Sequence, residues 1–210
     1  MQELTAFLGI AAAIGVGAAS PGPSFVLVAR TAVAVSRADG LSAALGMGLG
    51  GFVFACLSLL GLHGLLLAVP TLDVVLKIAG GVYLGYLGIV IWRGARMPLA
   101  IDAMSAAARP HSTGRSLALG LTTQLSNPKT AIWYASVFAA LLPAAPTLAF
   151  DIAVAALIFL IEAGWYTLVA LALSSARSRA VYLRAKTWID RVAGTIMIGL
   201  GLRLLASAAP

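Results

Sequence analysis

Residues 4–29 read LTAFLGIAAAIGVGAASPGPSFVLVA, an apolar run without a single Lys, Arg, Asp or Glu. A helix needs about 20 mostly apolar residues to cross the roughly 30 Å hydrocarbon core of a bilayer, so this run is long enough to span a membrane. The Pro21-Gly22-Pro23 triplet near its end interrupts a regular helix, because each proline removes a backbone donor and frees a carbonyl. The run therefore predicts a transmembrane helix that is broken at residues 21–23.

The composition of the whole chain also indicates a membrane protein. Of its 210 residues, 61% are hydrophobic and only 10% are charged, and the mean hydropathy is +1.01. Soluble domains carry roughly 25% charged residues, so this chain cannot cover a water-facing surface. A single cysteine, Cys56, excludes an internal disulfide, and the two histidines, His63 and His111, are too far apart in sequence to suggest a metal cluster. We therefore expect an integral membrane protein without a metal or cofactor, and not an ordinary soluble enzyme.

Five further apolar runs resemble the first, and some hold one or two ionisable residues. They predict, with the first run, an all-α integral membrane protein of six transmembrane helices. The five runs cover residues 41–69, 74–92, 116–142, 148–173 and 192–209.

The basic residues predict the orientation of these spans. The loops after the first, third and fifth spans hold 11 of the 14 Lys and Arg residues, whereas the N-terminus and the turns at residues 70–73 and 143–147 hold none. Under the positive-inside rule, both termini lie outside and the three basic loops lie in the cytoplasm. The net charge of +7 then indicates contact with anionic lipid headgroups of a bacterial inner membrane and not with nucleic acid.

The two halves of the chain carry matching features. Pro23 and Pro128 interrupt the first and fourth spans and lie 105 positions apart, half of the chain. Residues 77–80 (KIAG) in the third span correspond to residues 191–194 (RVAG) at the sixth. Three spans per half is an odd number, so the halves insert in opposite orientation and form a 3+3 inverted repeat with broken helices 1 and 4. The predicted single transmembrane domain, 1–210, divides into a first repeat 1–92, a cytoplasmic connector 93–115 and a second repeat 116–210.

The helix breaks are the candidate substrate site. Asn127 is a favourable N-cap and Pro128 suits the first helical position, so a new helix is predicted to start there, with its positive end near the middle of the membrane. Gly22-Pro23-Ser24 has the same role on the opposite side. Two facing helix N-termini favour an anion such as a carboxylate. The predicted substrate-binding residues are Pro21, Gly22, Pro23, Ser24, Gln124, Asn127, Pro128 and Lys129.

Two charged residues are predicted to lie deep in the membrane. Lys129 lies near the middle of the fourth span and Glu162 near the middle of the fifth. A central Lys costs about 2.5–3.5 kcal/mol on insertion scales, so a counter-anion is expected. We hypothesise that Lys129 and Glu162 pair and that substrate or proton binding rearranges the pair. A permanent structural ion pair remains the alternative.

The motifs together resemble the LysE/RhtB family of amino-acid exporters over essentially the whole chain. The resemblance lies in Pro21-Gly22-Pro23, the glycine-rich segment 46–51, the segment 77–88, Asn127-Pro128-Lys129, and the segment 190–194 leading to 199–203. It implies export of amino acids or their derivatives from a bacterial cytoplasm, driven by the proton-motive force. It identifies neither the substrate nor the oligomeric state, so both a monomer and a homo-oligomer are compatible with the sequence.

Other functions remain open at this point. Efflux of a metal cation or another small solute is the alternative among transporters, although the chain has no Cys, His or carboxylate cluster in its sequence pattern. A non-transporting membrane module is the alternative of a different class, although one cysteine excludes an intramolecular dithiol relay. The sequence has no GxxxxGK[ST] motif, so transport would use a gradient and not ATP, unless a partner protein supplies the ATP. With Glu162 as the only deep acidic residue, a neutral amino acid is favoured over a cationic one.

Overall fold

A computed structural model describes residues 2–20, 22–62, 70–97, 112–143, 145–174, 176–206 and 208. These residues form α-helices and no β-strand. The helices are α1 (Gln2–Ala19), α2 (Pro23–Ala34), α3 (Arg37–Leu57), α4 (Pro70–Gly94), α5 (Thr113–Leu125), α6 (Pro128–Leu141), α7 (Leu148–Leu173) and α8 (Ala176–Ala206), and a π-helical turn (Ser58–Leu62) extends α3.

Polar side chains begin four of these helices. Ser36 accepts a hydrogen bond from the Asp39 backbone N–H at the start of α3, and Asn127 accepts one from Lys129 N–H at the start of α6. Ser112 and Thr147 cap α5 and α7 in the same way. Each cap satisfies one of the amides that a helix start leaves without an intrahelical partner.

Among the described residues, three helical stretches are long and apolar enough to cross a membrane: Gln2–Ala19, Arg37–Gly61 and Leu148–Leu173. The helical segments Pro23–Ala34 and Ile78–Gly94 are apolar but shorter. Large apolar side chains such as Leu60, Leu148 and Leu160 are exposed on the outside of the bundle. An apolar periphery of this kind suits lipid and would be unfavourable in water.

Glycines allow two pairs of helices to pack at very short distance. A Cβ atom on Gly120 of α5 would collide with the Ala43 carbonyl of α3, and one on Gly46 of α3 would collide with the Leu117 carbonyl of α5. In the same way, a Cβ on Gly88 of α4 would lie 2.6 Å from the carbonyl oxygen of Gly194 in α8. Close backbone contact through small residues is the usual way in which helices associate in membranes.

Two predicted connections are helical instead. Residues 70–73, expected as a turn, form the start of α4, and residues 177–191, expected as a basic cytoplasmic loop, belong to the long helix α8. Local and tertiary contacts explain the second difference: Lys186 donates a hydrogen bond of 2.6 Å to Asp190 within α8 and one of 3.3 Å to the Ala95 carbonyl, just after α4. Arg191 stacks its guanidinium over the Trp92 ring at 5.4 Å. These basic side chains therefore fix α8 to the end of α4.

Candidate functional site

Two helix starts meet inside the bundle. Gly22, before α2, and Asn127, before α6, are both extended, and a proline takes the first position of each helix. Between the two starts, Asn127 Nδ2 donates a hydrogen bond of 3.0 Å to Ser24 Oγ. The Ser24 hydroxyl in turn donates to Gln124 Oε1 at 2.7 Å. The segments around Pro23 and Pro128, far apart in sequence, are therefore joined by buried side-chain hydrogen bonds.

Lys129 crosses from α6 to the end of α1. Its ammonium group donates to the Ser20 backbone carbonyl at 3.0 Å and to Ser20 Oγ at 2.9 Å. A Cβ atom on Gly22 would lie 3.5 Å from Lys129 Nζ, so the lysine side chain lies against this glycine. The positive charge is thus held between the end of α1 and the start of α2.

Glu162 of α7 is the buried acidic group of the cluster. Its side chain is 3% exposed, and its Oε1 accepts a hydrogen bond of 3.0 Å from the Tyr134 hydroxyl. The other carboxylate oxygen, Oε2, is buried and has no hydrogen-bond partner among the described residues. A Cβ atom on Gly51 of α3 would lie 2.9 Å from both Glu162 Cγ and the Tyr134 hydroxyl, so a larger residue at this position would displace them.

These groups surround one cavity of about 20 Å³, which is room for about one water molecule. Helices α1, α2, α5, α6 and α7 contribute to its wall, which is mixed in character: serine, amide, lysine and carboxylate groups alternate with aromatic rings. The residues lining it include Ser20, Gly22, Ser24, Gln124, Asn127, Lys129, Trp133, Tyr134, Glu162 and Tyr166. The volume is small in this conformation, so a ligand larger than water requires these side chains or helices to move.

The structure brings most of the predicted site residues together. Six of them line the cavity, namely Gly22, Ser24, Gln124, Asn127, Lys129 and Glu162. Pro23 and Pro128 do not line it: they are exposed, and their role is to begin α2 and α6. Pro21 lies outside the described residues.

Lys129 and Glu162 line the same cavity without forming a direct ion pair. The lysine bonds to Ser20 and the carboxylate bonds to Tyr134. The end of α1 offers Lys129 a carbonyl, and this contact takes the place of the acidic partner that the sequence suggested. In this conformation the two charges therefore act on each other only through space.

Sequence reasoning missed Ser20, Thr130 and Tyr166. Trp133 and Tyr134 are deep in their predicted span, and this depth is equally compatible with lining a cavity and with simple packing. Gly17 of α1 explains the position of Trp133: a Cβ atom there would collide with the indole nitrogen, so the ring lies directly on this glycine. Trp133 Nε1 is buried and has no hydrogen-bond partner in the described part of the chain. The contact between Gly17 and Trp133 depends on how α1 packs against α6, and no local sequence pattern predicts it.

No group of three or more His, Cys, Asp or Glu side chains that could hold a metal ion occurs in the described ranges. His63 and His111 lie outside those ranges. Among the described residues, the charged groups that line the cavity are one lysine and one carboxylate. This donor set suits a small polar solute with both charges better than a transition metal.

Apolar helices around a small polar cavity, with two helix starts in its wall, are the arrangement expected of a membrane transport protein. The family model "LysE type translocator" matches residues 15–208, and the chain belongs to this family. Membership agrees with the resemblance drawn from the motifs and with the prediction of a transporter and not an enzyme.

Several relatives are similar over nearly the full chain. The threonine efflux protein of Escherichia coli K12 is 34% identical over 97% of this chain and 99% of its own length. The threonine efflux protein of Salmonella typhi is 38% identical over 90% of this chain and 91% of its own. The leucine efflux protein of Klebsiella pneumoniae is 33% identical over 56% of this chain and 54% of its own. No solved structure matches.

Proposed function

We propose that this protein is a secondary active exporter that moves neutral amino acids out of the bacterial cytoplasm through the cavity at Lys129. The observation that carries the proposal is the meeting of two helix starts and a lysine ammonium group in one buried space. Helix N-termini present free amides and a positive dipole end, and Lys129 adds a full charge, so the space suits a carboxylate. The relatives named for threonine and leucine efflux support an amino acid, and both of these amino acids are neutral.

The packing of the helices supports a 3+3 inverted repeat. In this proposal α1 with α2 and α5 with α6 are the broken first spans of the two halves, α3 and α7 are the second spans, and α4 and α8 are the third spans. The contacts are reciprocal. The two second spans, α3 and α7, pack extensively on each other, and so do the two third spans, α4 and α8. In the first spans, α1 and α2 pack on α7, and α5 packs on α3. Each half therefore places its first span on the second span of the other half, as a pseudo-twofold axis requires.

This interleaving determines which parts move during alternating access. The repeats cannot rock as separate bodies, because each contains helices that are packed firmly against the other. Helices α4 and α8 make their main contact with each other; against the other helices, α4 packs on α6, and α8 makes sparser contacts with α1 and α7. We propose that the α4/α8 pair moves as one unit against the remaining helices and opens the cavity to one side at a time. Both termini lie outside in this arrangement, and the basic segments contact the lipid headgroups of the inner leaflet.

Glu162 is the proposed coupling residue, together with Lys129. Its unpaired oxygen is available to a proton that enters from outside when the cavity opens there. The titratable and polar groups around this carboxylate are Tyr134 and Lys129 of α6, Tyr166 on its own helix and Gln124 of α5, while α3 contributes Gly51. A buried carboxylate without a counter-ion is unfavourable, so proton uptake here stabilises the empty carrier.

Transport in liposomes tests this function. The purified protein is reconstituted and loaded with threonine, leucine, lysine or glutamate, and exchange of the labelled amino acid is followed with and without an imposed proton gradient. We expect exchange of at least one neutral amino acid and uphill movement only with the gradient. Exchange of none of these amino acids above the level of protein-free liposomes would contradict the proposal. Exchange that the gradient leaves unchanged would contradict proton coupling.

A further inference from the structure

We infer that Glu162 Oε2 binds the α-ammonium group of the transported amino acid, while Trp133 Nε1 and Lys129 bind its carboxylate. The site then recognises the free zwitterion and not a side chain. This inference rests on the proposed function, and it adds the substrate groups that the cavity selects.

The first observation is an unused acceptor of full negative charge. Glu162 is 3% exposed and lines the cavity, and its Oε1 is engaged by Tyr134 while Oε2 has no hydrogen-bond partner among the described residues. Buried polar atoms are nearly always paired, so an unpaired one in a cavity wall requires an explanation. An ammonium group supplies what is missing here, because it offers both a donor and the opposite charge.

The second observation is an unused donor in the same wall. Trp133 is 3% exposed, lines the cavity and has a buried indole N–H without a partner in the described ranges. An indole nitrogen donates and never accepts, so its ligand must be an acceptor such as a carboxylate oxygen. Gly17 leaves room for the indole, so the position of this donor is fixed by the packing of α1 on α6.

One of the two unused groups is an acceptor and the other is a donor, and this difference gives the orientation of the bound amino acid. Lys129 and the helix starts lie on the side of Ser20 and Gly22, whereas Glu162 and Tyr134 lie on the side of α7 and Gly51. A carboxylate on the first side and an ammonium on the second satisfy both orphan atoms at once. An amino acid whose amine is acylated keeps one N–H donor but has no positive charge, so the Glu162 carboxylate would stay buried without a counter-ion, which costs far more than a lost surface contact.

Competition between analogues tests the inference in the wild-type protein. Proteoliposomes exchange labelled threonine, or labelled leucine if threonine shows no exchange, and the competitors are the unlabelled amino acid, its N-acetyl derivative and its amide. We expect the N-acetyl derivative and the amide each to compete at least 10-fold more weakly than the free amino acid. Equal competition by the N-acetyl derivative would overturn the assignment of Glu162. If the wild-type protein exchanges neither labelled amino acid, the proposed function itself fails, and the inference falls with it.

Two variants separate the two ends of the substrate. Trp133→Phe keeps the ring and removes only the N–H, and we expect the half-saturation concentration to rise about 3- to 10-fold. Glu162→Gln keeps the shape, and we expect a rise of about 10- to 100-fold together with a smaller penalty for the N-acetyl derivative relative to the free amino acid. Glu3→Gln, which removes a charge outside the cavity, is the matched control and should behave as wild type. An unchanged half-saturation concentration in both folded cavity variants would contradict the inference.

Discussion

At the scale of single residues, Lys129 gives the cavity its positive charge. Its ammonium group is held by two oxygens of Ser20, one from the backbone and one from the side chain. Three hydrogens are available on an ammonium group, so one donor remains for a ligand while both contacts stay in place. The lysine is thus both a structural link from α6 to α1 and a candidate substrate contact.

Substitution of this lysine tests the second role. Lys129→Met keeps an unbranched side chain and removes the charge, and a hydrogen bond to a charged group is worth about 1.5–3 kcal/mol. We therefore expect the half-saturation concentration for exchange to rise about 10- to 100-fold, measured by threonine or leucine counterflow. Arg93→Met, at the end of α4 and away from the cavity, is the control.

Lys129→Met also removes the link between α6 and α1, so the folding of the variant must be measured together with its exchange. Size-exclusion chromatography of both variants in detergent reports whether the α1–α6 link is needed for the fold. A well-folded Lys129→Met protein with wild-type exchange would show that the substrate carboxylate does not depend on this lysine.

Single residues also show why sequence reasoning reached part of the site. Asn127 and Pro128 carry local signals, and α6 does begin at this pair. The Ser20 to Lys129 and Ser24 to Asn127 contacts join residues 109 and 103 positions apart, and no local rule gives them. The ion pair of Lys129 with Glu162 was expected because both residues lie near the middle of their predicted spans. Position along a span does not reveal that the Ser20 carbonyl lies close to the lysine.

At the scale of elements, the small residues of α3 and α5 determine how closely these helices approach. The backbone of Gly120 touches the Ala43 carbonyl, and no space remains for a side chain. Gly50 of α3 has a related role, because a Cβ atom there would lie 2.6 Å from Gln124 Cβ. Contact between α3 and α5 therefore holds Gln124 in the cavity wall.

A pair of alanine substitutions in α5 tests this contact. Gly120→Ala forces the helices apart, and overpacking of this kind costs about 1–3 kcal/mol. We expect a lower melting temperature in detergent and weaker substrate exchange, because Gln124 shifts with α5. Gly114→Ala in the same helix meets no atom within 4 Å and should leave the melting temperature unchanged or slightly raised. An equal effect of the two substitutions would show that helix propensity, and not close packing, determines the result.

At the largest scale, a buried ion pair within α8 lies against the end of α4 and is joined to it by a hydrogen bond. Lys186 and Asp190 form a 2.6 Å salt bridge, with side chains 8% and 4% exposed, and both Lys186 and Thr187 donate to the Ala95 carbonyl. These contacts fix the α4/α8 pair as one body, which the proposed movement requires. The sequence indicated basic residues in this region, but it did not indicate that one of them is buried.

We expect removal of one partner of this ion pair to destabilise the protein more than removal of both. Lys186→Met leaves Asp190 buried without its counter-ion, and breaking a buried pair costs about 3–5 kcal/mol. We expect a clear loss of thermal stability in detergent, and recovery of most of it in the double variant Lys186→Met with Asp190→Leu. If the double variant is no more stable than the single one, the pair contributes more than mutual neutralisation.

The small volume of the cavity has a consequence for a membrane that holds this protein. A space of about 20 Å³ admits about one water molecule, whereas proton leak through a protein requires a continuous file of water from one side to the other. The side chains of Trp133, Tyr134 and Tyr166 bring aromatic rings to the wall of this small space. For the proposed exporter, we therefore expect many copies of the idle protein to stay in an energised membrane without dissipating the gradient that transport would use.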